Sequence, residues 1–200
     1  TINIHHFGGQ IVEFLHANNS FGLNIHISDE RDMLLDTGGG VKKACPFLDG
    51  NEPFLVHNAD ILTDIDLTTF YRHHQDSNAE ATLLVSERKT SRYLLFDDSY
   101  NLHGWINKST QEIKPEGFNF HEGDYKELAF GGIHVISPSL FRYMKNEQWT
   151  GKFSIIPFYL SICQHIPIQG YPLQGFQWFD IGKPETLAKA EEYYANANIN

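Results

Sequence analysis

Three short stretches of the chain contain residues that could bind a metal ion or a phosphate. "HNAD" places Asp60 directly after an apolar segment, "WFDIGKPE" places Asp180 between an aromatic pair and a glycine, and "LLDTGGGVKKA" contains three consecutive glycines. Mg²⁺ prefers one or two protein carboxylates and fills its remaining positions with water and phosphate oxygens. Glycines let a backbone approach a ligand closely, and a following helix offers free amides. Together the three stretches predict a site for Mg²⁺ and a nucleotide phosphate.

Each stretch also has an ordinary structural interpretation, and these alternatives stay open. Asp60 could be a solvated aspartate in a loop, and Asp180 could cap a helix or stabilise a turn. The glycines could form a tight loop and nothing more, since they lack the G-K-[ST] ending of a P-loop. What connects the three stretches is their expected position, because an open α/β sheet binds ligands at the carboxyl ends of its strands.

Strands and helices alternate in the first half of the chain. The strand patterns have apolar residues on one face, as Leu23, Ile25 and Ile27 do in the second strand, and Asp66 is expected to start one of the helices. The predicted strands are "TINIHHF", "LNIHISDE", "PFLVHNAD" and "AEATLLVSER", and the predicted helices are "GGQIVEFLHANNSFG", "VKKACPFL" and "LTTFYRHHQDSN". This rhythm predicts parallel strands with right-handed crossovers, and therefore an α/β fold.

The second half of the chain predicts a hairpin and further elements on the same sheet. "RYLLFDDSYNLHGWINK" has the pattern of two antiparallel strands, with Asp97-Asp98-Ser99 as the turn. "KELAFGGIHVISPSLFRYM" predicts a strand that leads into a helix near Pro138, and "KPETLAKAEEYYANA" predicts a terminal helix. Since no linker or repeat interrupts the chain, residues 1–200 are expected to form a single domain.

Composition limits the partners. The net charge of −10 argues against a nucleic-acid partner, and an acidic protein that handles phosphates needs a metal cation or a local basic patch. No apolar run approaches the roughly 20 residues of a membrane-spanning helix, so no membrane association is expected. Two cysteines give no disulfide framework, which favours the cytoplasm. The 11 histidines are scattered without a metal-site spacing and are interpreted as structural.

Four stretches, taken in order, resemble a known family. They are "TGGGVKKA", "PFLVHNADILTDIDL", "AFGGIHVISPSLF" and "FQWFDIGKPETLAKAEEY". The chain is similar to the sugar-nucleotide pyrophosphorylases, nucleotidyltransferases that join a nucleoside triphosphate to a sugar 1-phosphate, and most of all to mannose-1-phosphate guanylyltransferase-like and N-acetylmuramate-1-phosphate uridylyltransferase-like members. The resemblance implies a GT-A-like nucleotidyltransferase fold, a Rossmann-like mixed and mainly parallel sheet with helices on both faces.

The resemblance also implies roles for individual residues. Asp60 and Asp180 would hold the catalytic Mg²⁺, and Thr37, Gly38 and Gly39 would lie against the nucleotide base. The substrates would be a nucleoside triphosphate and a sugar 1-phosphate. The resemblance leaves the base, the sugar and the oligomeric state open.

The sugar side of the site rests on four further residues. Gly131 and Gly132 would line the sugar pocket, where side chains would collide with the hexose. Ala59 stands where members of the family usually have glycine, and its methyl group would narrow that pocket. Lys108, in "GWINKS", occupies the place of a lysine that holds the sugar phosphate in many members, although it could equally be an exposed hairpin lysine.

The chain departs from the family at its start. Members begin with a strand, a G-x-G-x-R loop and a Pro-Lys pair, whereas this chain begins at "TINIHHF", which resembles the second strand. Without the first strand, which lies in the middle of a doubly wound sheet, flanking strands would keep unpaired backbone groups. The 200 residues are therefore expected to be N-terminally incomplete and inactive by themselves.

Two other functions remain open on the sequence. "NAD" faintly resembles the D-x-D metal motif of a GT-A-type glycosyltransferase, which would consume a nucleotide-sugar instead of making one. A non-catalytic protein that binds sugar nucleotides is the second alternative, because the signature loop is not found in the sequence.

Overall fold

The chain folds into two units, each built from two separate segments of the sequence. The computed structural model describes residues 1–197. The first unit contains Thr1–Glu52 and Ser137–Ile162, and the second contains Pro53–Ile136 and the residues from Cys163 onward. Each unit has its own strands and helices, and the single domain expected for residues 1–200 stays a prediction.

The first unit is built on a short parallel strand pair. Its strands are β1 (Ile2–Ile4) and β2 (Ile27–Asp29), with Ile2 opposite Ile27. Because β1 offers only three residues for pairing, the second strand is shorter than predicted, and Leu23 is 66% exposed. The helices of this unit are α1 (Gly8–Ala17), α2 (Asp36–Lys43), α3 (Cys45–Leu48) and α5 (Ile155–Ile162), with 3-10 turns at Asn19–Gly22, Pro138–Lys145 and Glu147–Trp149.

The second unit is built on a seven-stranded sheet. Its strands are β3 (Phe54–His57), β5 (Ala81–Ser86), β6 (Arg92–Phe96), β7 (Leu102–Asn107), β8 (Glu112–Lys114), β9 (Lys126–Ile136) and β10 (Ile168–Pro172). The strand order is β10-β5-β9-β6-β7-β8, and β3 also pairs with β9. A separate two-stranded sheet pairs β4 (Ile61–Thr63) with β11 (Trp178–Asp180). The helices are α4 (Leu67–Asp76) and α6 (Pro184–Ala197).

The mixed α/β sheet predicted from the sequence is confirmed, but its pairing is mainly antiparallel instead of mainly parallel. Only β1–β2 and β5–β10 are parallel pairs among the described strands. The difference comes from β9, which is 11 residues long and runs antiparallel to β3, β5 and β6. Such pairing joins residues far apart in sequence, so the local strand–helix rhythm does not reveal it.

Several local predictions are confirmed. The Asp66 side chain caps α4 by accepting hydrogen bonds from the backbone N–H of Thr68 (2.9 Å) and Thr69 (3.1 Å). The predicted hairpin forms between β6 and β7, where the Asp97 carboxylate accepts from Ser99 N–H. The segment after β9 is a 3-10 helix starting at Pro138, where the sequence predicts a helix.

A core cluster of five buried side chains lies in the second unit. Its members are Ile61, Phe70, Leu84, Ile133 and Val135, and Phe70 is fully buried. Ile61 follows Asp60 directly, so burial of Ile61 fixes the backbone position of that aspartate. No helix within residues 1–197 combines the length and the apolar character that crossing a membrane requires.

Stability of the second unit is expected to fall as the pH is lowered from 7 to 5. Burial lowers the pKa of His134 to about 3 and that of His74 to about 4, from an ordinary 6.5. Below pH 6.5 the unfolded chain protonates both rings while the folded protein keeps them neutral, so each histidine lowers the free energy of unfolding by about 2 kcal/mol at pH 5. Urea unfolding at the two pH values measures this loss. His134→Leu and His74→Gln should each reduce the loss of unfolding free energy between pH 7 and pH 5, and the exposed control His16→Gln should not. An unfolding midpoint that does not change with pH would contradict the prediction.

Candidate functional site

The two predicted metal-binding aspartates lie side by side in the second unit. β4 and β11 pair antiparallel, with Asp180 opposite Ile61. The backbone N–H of Ile181 donates to the backbone carbonyl of Asp60 at 2.8 Å. A strand pair therefore unites two carboxylates that are far apart in the sequence.

Gly182 defines the space between the two carboxylates. A Cβ atom added at Gly182 would lie 3.1 Å from Asp180 Oδ1 and 3.6 Å from Asp60 Oδ2, so both oxygens lie within 3.6 Å of one point. No group of three or more His, Cys, Asp or Glu side chains that could hold a metal occurs within the described residues 1–197. Two carboxylates whose oxygens lie this close to one point fit Mg²⁺, which binds through one or two carboxylates and keeps its other positions for water and phosphate.

The alternative interpretation of Asp180 as a turn residue also holds for one of its oxygens. Asp180 Oδ1 accepts a hydrogen bond from Gly182 N–H at 3.1 Å. A carboxylate has about four lone-pair sites, so this bond leaves room for a ligand. Both Asp60 and Asp180 are exposed, so each carboxylate is accessible from solvent.

Gly131 and Gly132 position the segments that carry both aspartates through backbone hydrogen bonds. They lie at a bulge in β9, where the register with β5 shifts. The Gly132 carbonyl accepts from Asn58 N–H at 3.0 Å, two residues before Asp60. The Gly131 carbonyl accepts from the Trp178 indole Nε1–H at 2.9 Å, two residues before Asp180. One bulge thus orients the two segments that carry the carboxylates.

The protein itself requires glycine at the bulge. Gly132 has φ +75°, and a Cβ there would lie 3.1 Å from both Asn58 Nδ2 and Ile61 Cγ1. A Cβ at Gly131 would lie 3.2 Å from Leu84 Cδ2. The role of these glycines in lining a sugar pocket stays a prediction, as does that of Ala59, which is exposed in the turn between β3 and β4.

Lys108 is engaged by carboxylates. Its Nζ donates to Glu127 Oε1 at 2.7 Å and lies 3.8 Å from Glu122 Oε1. The hydrogen bond to Glu127 raises the pKa of Lys108 above its ordinary value. Its predicted contact with a sugar phosphate is untested, and Lys108 forms no ion pair with Asp60 or Asp180 in the described part of the chain.

Thr37, Gly38 and Gly39 belong to the first unit, and their local structure differs from the prediction. The glycines lie inside α2 instead of in a loop before it. The amides of Gly38 and Gly39 donate to the Phe153 carbonyl at 2.9 and 3.1 Å. Thr37 Oγ1 accepts from the backbone N–H of Ile155 at 3.0 Å. The amides expected to be free are therefore used within the unit, and contact with a nucleotide base stays a prediction.

Close packing explains why these two α2 positions are glycines. A Cβ at Gly38 would lie 2.4 Å from the Phe153 ring, and a Cβ at Gly39 would lie 2.5 Å from the Gly151 carbonyl oxygen. Real Cβ atoms do not occupy such distances, so larger residues would force the segment around Phe153 to move.

The first unit also contains a basic pocket of about 770 Å³, which the sequence did not indicate. Four of the six lysines and arginines of this unit line it, along with Asp49. The four are Lys42, Lys43, Arg142 and Lys145. Three of them donate to groups of the same unit: Lys42 Nζ to the Trp149 carbonyl, Lys43 Nζ to the Asp29 carbonyl, and Arg142 Nη2 to the Tyr143 hydroxyl. This local positive charge stands in contrast to the acidic chain as a whole.

Sequence reasoning missed three residues at the aspartate pair: Arg88, Trp178 and Gly182. Arg88 Cζ lies 4.0 Å from the centre of the Trp178 ring, and Arg88 Nη2 donates to the Phe130 carbonyl at 3.2 Å. Trp178 and Gly182 each stand two positions from Asp180, which was the available signal. Nothing in the local pattern around Arg88 connects it to β11.

Comparison with known proteins identifies the relatives of this chain. The nucleotidyl transferase family model matches residues 2–197. The N-acetylmuramate alpha-1-phosphate uridylyltransferase of Neisseria meningitidis serogroup B is 32% identical over 141 residues, which cover 70% of this chain and 55% of that protein. The mannose-1-phosphate guanylyltransferase catalytic subunit beta of Danio rerio is 27% identical over 169 residues, which cover 82% of this chain and 42% of that protein. The chain thus spans about half the length of these relatives.

Among solved structures, the crystal structure of HddC from Yersinia pseudotuberculosis has the same fold. Its TM-score is 0.70 at 19% identity, and the match covers 96% of this chain and 76% of that chain. Similarity at this level of identity supports the fold class predicted from the sequence and carries no statement about substrates.

Proposed function

This chain belongs to the nucleotidyl transferase family, and from that premise we propose that it joins a nucleoside triphosphate to a sugar 1-phosphate, forming an NDP-sugar and pyrophosphate. The observation that carries the proposal is the convergence of Asp60 and Asp180 on the space beside Gly182. Two hard oxygen donors at one point favour a Mg²⁺-dependent reaction of phosphates.

The proposed reaction is a single in-line displacement. An oxygen of the sugar 1-phosphate forms a bond to the α-phosphorus of the triphosphate, and the bond from that phosphorus to the leaving oxygen breaks as pyrophosphate departs. The attacking phosphate is already an anion, so no side chain has to remove a proton. A bound Mg²⁺ would neutralise charge on the phosphates, and Asp60 and Asp180 would hold it. Catalysis in such a reaction consists of positioning and charge neutralisation.

The names of the relatives support a sugar 1-phosphate as the second substrate. Both the uridylyltransferase and the guanylyltransferase are named for a sugar 1-phosphate, while their bases differ. The proposal therefore specifies a sugar 1-phosphate and leaves the base and the sugar to experiment. We further propose that Thr37, Gly38 and Gly39 contact the base, and that Ala59, Gly131 and Gly132 contact the sugar. We also propose a cytoplasmic location.

A pyrophosphate-release assay tests the proposal. Four nucleoside triphosphates are combined with a panel of sugar 1-phosphates and Mg²⁺, using the chain itself and the chain carrying whatever residues its gene encodes upstream of Thr1. We expect pyrophosphate only when a triphosphate and a sugar 1-phosphate are both present. If neither form releases pyrophosphate with any pair, the proposal fails; transfer of sugar from an NDP-sugar would instead identify a glycosyltransferase.

A further inference from the structure

We propose that Arg88, and not Lys108, is the side chain that binds a substrate phosphate at the aspartate pair. This inference rests on the proposed function and adds to it a residue that the family resemblance does not supply. Four observations in the second unit support it: the face on which Arg88 lies, the partners of its guanidinium, its burial, and the state of Lys108.

The position of Arg88 follows from the geometry of β11. Side chains two residues apart in a strand point to the same face, so Trp178 and Asp180 share one face of β11. The Arg88 guanidinium stacks on the Trp178 ring at 4.0 Å. It therefore lies on the face of β11 that carries Asp180, and Asp180 acts on it electrostatically.

Most hydrogen-bond donors of the guanidinium are uncommitted. Arginine has five N–H donors in a planar fork. In the described part of the chain, the guanidinium donates to one acceptor, the Phe130 carbonyl at 3.2 Å, and forms no ion pair with a carboxylate. The contact with the Trp178 ring and the hydrogen bond to Phe130 restrain the position of the guanidinium and of its remaining donors.

Burial makes such an arrangement costly unless an anion completes it. Arg88 is half-buried, and desolvation lowers its pKa, while Asp180 acts in the opposite direction. A partly desolvated cation with open donors is stabilised most by a bidentate oxyanion, and arginine pairs with phosphate in this way. The carboxylates of Asp60 and Asp180 repel a phosphate. A cationic side chain nearby reduces this repulsion in addition to any bound divalent ion.

Lys108 is poorly suited to this task in the structure. Its ammonium group is paired with Glu127 at 2.7 Å and with Glu122 at 3.8 Å, so its charge is already neutralised. Binding a phosphate through Lys108 would require breaking the shorter contact. Arg88 requires no such rearrangement, because no carboxylate among residues 1–197 forms an ion pair with it.

Equilibrium binding of two phosphate probes tests the inference. Methyl phosphate represents the sugar 1-phosphate, tripolyphosphate represents the triphosphate, and each is titrated with Mg²⁺ present while tryptophan fluorescence is recorded. Arg88→Met is expected to weaken the binding of one probe about ten- to a hundredfold, since charge-assisted hydrogen bonds are lost. The probe that is affected identifies which substrate phosphate Arg88 binds, and Arg88→Lys should restore part of the affinity.

Matched variants separate binding from structure. Arg92→Met removes an exposed arginine close by in the sequence and should leave both affinities unchanged. Arg88→Gln, which keeps a neutral N–H donor, covers the case in which Arg88→Met unfolds. Unchanged affinity in Arg88→Gln or Arg88→Met, loss of affinity in Lys108→Met, or no probe binding by the parent chain would each overturn the inference. Mn²⁺ binding is measured in the same samples. If the parent chain does not bind Mn²⁺, the proposed function is refuted. If it binds Mn²⁺ but phosphate binding does not depend on Arg88, only this inference is refuted.

Discussion

In the form of the protein that releases pyrophosphate, replacing Asp60 or Asp180 by asparagine is expected to lower turnover by about a hundredfold or more. The amide keeps the size of the side chain and loses its charge, so it holds a divalent cation weakly. An oxygen of each carboxylate lies within 3.6 Å of one point beside Gly182, and each residue is therefore expected to matter to a similar degree. The rate is measured at saturating substrates over a range of Mg²⁺ concentrations, which separates lost metal affinity from lost maximal rate.

The double variant gives the sharper version of this prediction. If both carboxylates hold the same ion, removing the second after the first should add little further loss, because residues that act as a unit are not additive. Asp76→Asn, an exposed aspartate at the end of α4, should leave the rate unchanged. Near-normal rates in both single variants would show that the metal assignment is wrong.

Gly132→Ala is expected to destabilise the second unit and to reduce turnover as well. The alanine must adopt φ +75°, and its Cβ would lie 3.1 Å from Asn58 Nδ2 and Ile61 Cγ1, the residues that flank Ala59 and Asp60. Strain and overpacking together are expected to cost about 2–4 kcal/mol of the free energy of unfolding. Urea unfolding measures this loss, and the pyrophosphate assay measures the accompanying displacement of Asp60.

Gly175→Ala is the matched control for Gly132→Ala. Gly175 has nearly the same φ, +74°, but apart from its chain neighbours no atom of the described residues lies within 4 Å of its Cβ position. It should therefore lose about 1 kcal/mol from backbone strain alone and keep its turnover. Equal losses of stability in the two variants would mean that contacts with Asn58 and Ile61 do not position the aspartate.

The sequence predicted the aspartate pair because its signal is local. Asp60 and Asp180 each follow an apolar or aromatic stretch, and strand ends are where an α/β sheet presents its ligands. The cap of α4 at Asp66 was predictable for the same reason, since a capping residue contacts amides only two and three positions away.

Features that depend on long-range packing were not predictable from the sequence. The antiparallel pairing of β9 joins it to three strands whose register is set by residues on distant segments. The glycines of α2 were expected in a loop. Their position inside the helix was not predictable, because Phe153, which packs against Gly38, lies more than a hundred residues later in the sequence. The stacking of Arg88 on Trp178 is likewise a tertiary contact without a local pattern.

A crystal structure with Mn²⁺, in which anomalous scattering locates the ion, tests most directly whether Asp60 and Asp180 bind one metal. We expect one strong peak beside Gly182, with a carboxylate oxygen of Asp60 and one of Asp180 each within about 2.5 Å of the ion. A peak bound by only one of these residues, or divalent ions located only elsewhere on the chain, would contradict it.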